Sequence, residues 1–496
     1  MAIKLVDETT LNSNLTSIAN AIRLKTGGTS SLAFPAGFVS EIEGISGGGI
    51  MADDVAEGKI SGSISGNATF VRTHAFQSCS SLTTASFPYC TSIESYAFQY
   101  CTSLTEANFP SCITIGSYAF QYCNLLSTVN FPACTSIGNT GLGYCSLLTT
   151  ISFPSCIYVG NYAFTACDSL ATADFPTCTT IGNYAFYGCY RLTSINFPVC
   201  TSIGGSAFQF CNLLATADFP TCTSVGSYAF YSCYELTSMS FPVCTSIGGS
   251  AFQFCSKLTS ISFSVCTTIG AYAFFGCYEL TSISFPVCTS IGTSAFQYCY
   301  SLIEASLPSC TVIGSYAFYS CRSLTSISFP VCTSIGGSAF CSCSNLTAAD
   351  FPVCMSIGSG GFIYCSSMTI ATFPKCSTIG SYAFQNCRLL TAAIFNNSST
   401  AQGIIYTYAF RSCYNLLSLY LLASTLYRLS VSSTTFISTP IADYTTSTSG
   451  VYGSIFVPVS LYDAYISSTN WSYFSSRFVS LTDAQISNVL ASGTHL

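Results

Sequence analysis

A 22-residue unit, repeated without a change of register, constrains the fold of this chain more than any other feature. Its clearest copy runs from Phe241 to Ser262 and is FPVCTSIGGSAFQFCSKLTSIS. Near-copies begin every 22 residues from Phe87 to Phe373. A fixed period of this length is typical of a solenoid, in which each repeat packs only on its neighbours. The usual relation between chain length and domain number therefore does not apply to these 496 residues.

The spacing of apolar residues predicts one short strand in each turn of the solenoid. Leu236, Met239 and Phe241 follow the pattern L-x-x-L-x-L, so we expect them to face inward and the Thr and Ser residues between them to face outward. We expect a second extended segment at Thr-Ser-Ile-Gly, and a 3₁₀ or α turn at Tyr/Ser-Ala-Phe-x-x-Cys. The predicted fold is a β-rich solenoid of leucine-rich-repeat type, a right-handed coil of about 16 turns of 22 residues.

The 31 cysteines fall mainly into two ladders that are offset by 11 residues. One ladder includes Cys90, Cys112, Cys134 and Cys244, and the other includes Cys101, Cys123 and Cys255. Turns stacked about 4.8 Å apart would allow disulfides between neighbours, although each cysteine has two equivalent neighbours and can bond to only one. A metal site is a further alternative, but the chain has no CxxC pair. We favour free thiols that fill the core and donate weakly to a corner carbonyl.

Composition argues against several classes of function. Charged residues make up 6% of the chain and the net charge is −6, which does not indicate nucleic-acid binding. Mean hydropathy is +0.51, but Ser, Thr, Gly and Pro interrupt the apolar residues, so we expect no membrane insertion. The histidines, His74 and His495, belong to no catalytic pattern. We therefore predict no enzymatic activity, no cofactor and no metal.

The sequence divides into four segments. They are a helical attachment or oligomerisation module (residues 1–47), a Gly/Ser-rich joint and N-terminal cap (48–68), the solenoid (69–421), and an irregular segment with an α/β C-terminal cap (422–496).

Residues 1–47 have apolar side chains at helical spacing. We expect one helix from about Asn12 to Lys25 and a second, shorter helix through Val39, Ile42 and Ile45. A module of this size cannot hold a large core of its own, so we expect it to bind a partner or to form a homo-oligomer.

Large polar and aromatic side chains that flank the second cysteine of each unit form a candidate ligand-binding surface. They are Tyr190, Tyr234, Tyr278, Tyr300, Gln209, Gln253 and Gln297. Such side chains are typical of sugar and protein recognition, but stacked tyrosines also simply stabilise a β face. The residue before Ala-Phe alternates between Tyr and Ser, as at Tyr272 and Ser294. This alternation indicates duplication of a 44-residue pair, interlocking of large and small side chains, or a striped binding surface.

The unit x-Ile-Gly-x-Tyr-Ala-Phe-x-x-Cys-x-x-Leu-Thr-x-Ile resembles the BspA-like (Treponema-type) leucine-rich repeats, over roughly residues 69–421. The stretch from Leu15 to Ile45 resembles the N-terminal leader of phage and prophage tail proteins. The stretch from Phe456 to Ser472 resembles the cap that closes such repeat proteins. The BspA resemblance implies surface attachment and ligand binding without catalysis, and it transfers no fixed binding residues.

We consider three functional hypotheses. The first is a phage virion structural protein (tail fibre, tail tip or decoration), in which residues 1–47 bind other virion proteins and the repeats bind a glycan or protein on the host surface. The N-terminus, MAIKLVDETTLNSNL, lacks the uncharged apolar segment of a secretory signal, which agrees with this hypothesis. The alternatives are a bacterial BspA-like cell-surface adhesin and a purely architectural, self-assembling rod.

Overall fold

The computed structural model describes residues 45–46, 60–397, 402–442 and 452–492. The chain divides into two compact units, one formed by Met1–Cys222 with Ala229–Tyr234 and the other by Thr223–Tyr228 with Glu235–Leu496. Each unit is a parallel β-solenoid in which strands one repeat apart lie side by side.

The chain forms about 18 turns, compared with the expected number of about 16. The difference arises at both ends of the repeats. Strand Ser61–Gly66 pairs with Ser81–Ser86 before the predicted start at residue 69. Strand Arg428–Leu429 pairs with Ile404–Ile405 beyond the predicted end at residue 421.

The predicted N-terminal module, residues 1–47, lies outside the described residues except for Ile45–Ser46. These two residues form a strand that pairs antiparallel with Ser65 and Gly66. The prediction that the second helix passes through Ile45 is therefore wrong, because the backbone there belongs to a sheet.

A first ladder of strands, three to six residues long, follows the L-x-x-L-x-L pattern. Met239 and Ile261 face each other in register, and the Ser residues on either side of each are exposed, as predicted. In the first unit the strands are Ser61–Gly66, Ser81–Ser86, Glu106–Asn108, Thr128–Asn130, Thr150–Ser152, Thr172–Asp174 and Ser194–Asn196. In the second they are Ser238–Ser240, Ser260–Ser262, Ser282–Ser284, Glu304–Ser306, Ser326–Ser328, Ala348–Asp350, Ile370–Phe373, Ala392–Phe395 and Ser418–Leu421.

A second ladder consists of two-residue strands at the Thr-Ser-Ile-Gly segment, as predicted. In the first unit these are Phe70–Val71, Ser92–Ile93, Thr114–Ile115, Ser136–Ile137, Tyr158–Val159, Thr180–Ile181 and Ser202–Ile203. In the second they are Ser224–Val225, Ser246–Ile247, Thr268–Ile269, Ser290–Ile291, Val312–Ile313, Ser334–Ile335, Ser356–Ile357, Thr378–Ile379, Ile404–Ile405 and Arg428–Leu429.

The Tyr/Ser-Ala-Phe-x-x-Cys segment, which we call the corner, is not the 3₁₀ or α turn that we expected. At Tyr272 and Gly276 the backbone is left-handed, with φ of 58° and 71°. The N–H groups of Tyr272, Phe274 and Gly276 donate to carbonyls of the next turn at 2.8–2.9 Å. The amides between them donate three residues back within the same corner. A helix satisfies its amides internally, whereas this alternation also joins neighbouring turns.

Two columns of phenylalanine rings fill the core. Rings from the ends of first-ladder strands form one column, in which Phe241 stacks on Phe263 at 5.1 Å between centroids. Corner rings form the other, in which Phe252 stacks on Phe274 at 5.2 Å. The columns meet edge to face, with 5.8 Å between Phe241 and Phe252. Because all four rings are buried, the pair in each turn contributes roughly 3–6 kcal/mol of apolar burial.

The sulfur atoms occupy two rows beside these rings, and all 31 cysteines are free and buried. In the first ladder of cysteines, Sγ lies 3.2–3.3 Å from the carbonyl oxygen two residues later in the chain, at Cys90, Cys112, Cys134 and Cys244. This geometry confirms the predicted donation from S–H to a carbonyl.

The second ladder of cysteines bonds to the preceding turn instead. Cys101 and Cys123 donate to the carbonyls of Phe76 and Phe98 at 3.0 and 3.1 Å, and Cys255 is fully buried. Burial raises the pKa of Cys123 well above its ordinary value, and the neighbouring Cys101 raises it further. Thiols held in this protonated state are poor nucleophiles.

The chain after the last two-residue strand forms helix Ser432–Thr435, strand Ser454–Pro458, 3₁₀ helix Val459–Leu461, helix Tyr462–Ser467, 3₁₀ helix Ser472–Arg477, strand Phe478–Leu481 and helix Asp483–Ser492. Strand Ser454–Pro458 pairs in parallel with Ser418–Leu421 and continues the first ladder. Trp471 is fully buried, and its indole N–H donates to the carbonyl of Tyr427 at 2.7 Å. Among the described residues, no helix is both long and apolar enough to cross a bilayer.

Candidate functional site

All seven candidate residues lie in or beside the corners. We number corner positions from one, the residue before Ala-Phe, to seven, the residue after the second cysteine, so that Tyr272 is at position one and Tyr278 at position seven. Tyr190, Tyr234, Tyr278 and Tyr300 occupy position seven, and Gln209, Gln253 and Gln297 occupy position four. Because corners stack in register within each unit, residues at one position form a row.

The position-seven tyrosines are well exposed, by 47% at Tyr190, 43% at Tyr234, 38% at Tyr278 and 36% at Tyr300. Tyr278 and Tyr300 come together, with ring centroids 5.4 Å apart and ring planes within 9°. Tyr190 and Tyr234 are instead separated by the turn that carries Asn212. The paired rings in the second unit form a flat aromatic surface that a ligand could cover.

Positions one, four and five alternate in size between Tyr184 and Ser320. Where position one is Tyr, position four is aromatic and position five is Gly or Ser; where position one is Ser, these are Gln and an aromatic residue. Phe275, at position four, packs edge-on between Phe254 and Tyr298, at position five of the two adjacent turns, with centroid distances of 5.4 and 5.2 Å. Large and small side chains therefore interlock along the row, as one of our three hypotheses for the alternation predicted.

This interlocking covers part of the candidate surface. The position-four residues Gln209, Gln253 and Gln297 are only half-exposed. At position one, by contrast, Tyr228 and Tyr316 are each 45% exposed. We had not singled out these tyrosines as binding residues, since the sequence pattern shows the alternation but not which alternate side chain reaches solvent.

The corners nearest the N-terminus do not alternate and contain a different array. The amide of Gln77 donates to Gln99, and that of Gln99 donates to Gln121, each at 2.6 Å. His74 stacks on Tyr96 at 4.8 Å, and its Nδ1 lies 2.8 Å from Oε1 of Gln77. These contacts give His74 a structural role beside the glutamine ladder.

Beyond Tyr300 the position-seven row becomes polar and basic. Arg322, Ser344, Ser366 and Arg388 follow one another along it. They surround a cavity of about 330 Å³, whose other lining residues are Ser342, Tyr364 and Asn386. Sequence analysis missed this cavity because its residues are spread over three repeats and come together only through stacking.

A second cavity, of about 540 Å³, lies along the first ladder of the second unit. Its polar lining consists mainly of serine side chains, including Ser260, Ser282 and Ser306, together with Glu304. In the described ranges, no group of three His, Cys, Asp or Glu side chains is placed to hold a metal ion.

Comparisons with known proteins agree with this architecture. The family described as "BspA type Leucine rich repeat region" matches residues 69–192, 179–303 and 289–417. No curated protein sequence matches the chain.

Among solved structures, a leucine-rich repeat protein from Bacteroides ovatus is 26% identical, with a TM-score of 0.53 over 73% of this chain and 87% of that one. A leucine rich cell surface protein from Faecalibacterium prausnitzii is 30% identical, with a TM-score of 0.34 over 50% of this chain and 79% of that one. The T. pallidum leucine rich repeat protein is 26% identical, with a TM-score of 0.27 over 36% of this chain and 77% of that one. On the extent of the family match, this chain belongs to the BspA-type leucine-rich-repeat family.

Proposed function

We propose that this protein is a non-enzymatic, cell-surface binding protein of a bacterium, and that the corner face of its solenoid binds a glycan. Proteins of the BspA-type family are typically found at the cell surface, and their fold typically serves as a binding scaffold. This supports our second hypothesis over the phage virion hypothesis, which depended on a leader outside the described residues and which no comparison supports.

The observation that carries the proposal is the exposed tyrosine pair at position seven. The rings of Tyr278 and Tyr300 are parallel and lie one turn apart. An aromatic face can cover the C–H face of a sugar while the phenolic hydroxyls exchange hydrogen bonds with sugar hydroxyls. The rings are held by backbone ladders on rigid strands, so little conformational entropy is lost when a ligand binds.

The test is binding of the full chain to an array of neutral and acidic oligosaccharides. The double variant Y278A/Y300A should lower affinity for the bound sugars at least about tenfold, since each aromatic contact is worth roughly 0.5–1.5 kcal/mol. Tyr158 is a matched control, because it is 40% exposed but lies in the second ladder. Unchanged affinity in Y278A/Y300A, or an equal loss in Y158A, would show that the ligand does not use this surface.

A further inference from the structure

The distribution of charge changes along the solenoid. Residues 60–300 carry seven acidic and three basic side chains, whereas residues 301–417 carry two acidic and four basic ones. Both acids in the second stretch, Glu304 and Asp350, lie on first-ladder strands. The corners between residues 301 and 417 therefore hold basic residues without any acidic residue.

Two of these basic residues face the 330 Å³ cavity in the second unit. Arg322 and Arg388 are exposed, and neither guanidinium has an ion-pair partner within the described part of the chain. Arg322 lies over the Tyr300 ring, with its Cζ 5.2 Å from the centroid, which holds the guanidinium beside the aromatic pair. The two arginines are three turns apart, a rise of about 14 Å along the stack.

The serines between the arginines determine what kind of anion the cavity suits. Ser344 Oγ and Ser366 Oγ donate to main-chain carbonyls of the preceding turn, at 3.5 and 3.3 Å. Their oxygens therefore present lone pairs to the cavity and can accept hydrogen bonds from hydroxyl groups. A bare oxyanion such as phosphate lacks hydroxyl donors to match them, whereas a sugar has several.

The remaining lining residues supply an aromatic face and an amide. Tyr364 is 49% exposed. Asn386 has no side-chain hydrogen bond to another described residue, so its amide can donate to a ligand. Guanidinium donors, hydroxyl acceptors and an aromatic face together match a sugar that carries a carboxylate.

We propose that the cavity between Arg322 and Arg388 binds a carboxylate-bearing acidic sugar, with the carboxylate at a guanidinium and the sugar hydroxyls at Ser344 and Ser366. This inference rests on the proposed function and narrows it to an acidic glycan. It makes the polar cavity the selective part of a surface whose tyrosine pair binds sugars generally.

The test measures binding of the full chain to polygalacturonate oligosaccharides and to the same oligosaccharides with every carboxylate methyl-esterified. The acidic form should bind at least about tenfold more tightly, because hydrogen bonds to charged groups are worth roughly 1.5–3 kcal/mol. The double variant R322A/R388A should remove this preference and leave affinity for the ester unchanged. R191A, which removes an exposed arginine at some distance along the sequence, should keep the preference.

Three results would overturn the proposal: equal binding of acid and ester by the unmodified protein, a preference retained in R322A/R388A, and displacement of the acidic oligosaccharide by equimolar inorganic phosphate. The first result, with binding of the ester intact, would refute the acidic-sugar site while leaving the tyrosine surface supported. Loss of all sugar binding only in Y278A/Y300A would separate the two surfaces in the opposite direction.

Discussion

Alkaline pH should unfold this protein over a narrow range, because its core contains stacked thiols. Burial raises the pKa of Cys90 and Cys134 to about 11, and it raises the pKa of Cys145 well above its ordinary value. Once unfolded, the same thiols titrate near 9, the ordinary value for a cysteine. The folded state therefore binds more protons between these values, so its stability is complete below pH 9 and falls as the pH rises.

The magnitude follows from the repeat. Each pH unit above the ordinary value favours the unfolded state by about 1.4 kcal/mol per buried thiol, and a regular turn has two such thiols, so about 3 kcal/mol is lost per turn. Solenoid stability is the sum of small terms from each turn and each interface, so a loss of this size in every turn exceeds the reserve. Tyrosine titrates from about pH 10, which makes pH 9–10 the range that reports on the thiols alone.

The assay is urea denaturation followed by far-ultraviolet circular dichroism, at half-unit steps from pH 7 to 10.5 with a reductant present. The free energy of unfolding should be constant up to about pH 8.5 and then fall steeply. The variant C277A/C299A/C321A removes three thiols from adjacent corners and should flatten the fall. A free energy of unfolding that stays constant to pH 10.5, or the same slope in the variant, would refute this reasoning.

Two substitutions test the interlocked corners and the C-terminal segment. Gly276→Ala should destabilise the protein by about 1–2 kcal/mol from its left-handed backbone, plus a clash, because the new Cβ would lie 2.7 Å from Cδ1 of Phe254. Gly188→Ala is the control, with the same backbone conformation but no atom nearer than 3.7 Å, so a larger loss in urea denaturation for Gly188→Ala would contradict the interlocking. The single tryptophan, Trp471, should show blue-shifted fluorescence resistant to iodide, and Trp471→Phe should cost about 1–3 kcal/mol in urea denaturation by leaving the Tyr427 carbonyl unpaired. Strong quenching of the unmodified protein would show that the cap is not closed.

The ladders were predictable because a 22-residue period with inward Leu, Ile and Phe leaves few alternatives. Cys90 and Cys101 were placed correctly in two rows for the same reason, and their donation to carbonyls followed from burying an S–H group near a turn. The corner could not be predicted in the same way. Tyr272 has low intrinsic preference for a left-handed backbone, and only the hydrogen bonds to the neighbouring turn hold it there.

The candidate surface was predictable in part. Tyr278 and Tyr300 were recognisable because they share a repeat position, and their stacking follows from the register. The partial burial of Gln253 depends on which neighbouring ring fills the space beside it, and a sequence pattern does not fix that. The cavity between Arg322 and Arg388 was missed because neither arginine is repeated, and a search for repeated residues favours rows over exceptions.

Two deletions test most directly whether the turns stack in register every 22 residues. Removing residues 266–287 deletes one full repeat and joins Val265 to Cys288, which preserves every ladder. Removing residues 266–276 deletes 11 residues and joins Val265 to Cys277, which keeps a cysteine at the junction but exchanges one side of the coil for the other. We predict that the first variant keeps the far-ultraviolet dichroism per residue and melts within a few degrees of the parent, while the second loses cooperative melting. Equal tolerance of both deletions would contradict the stacked architecture.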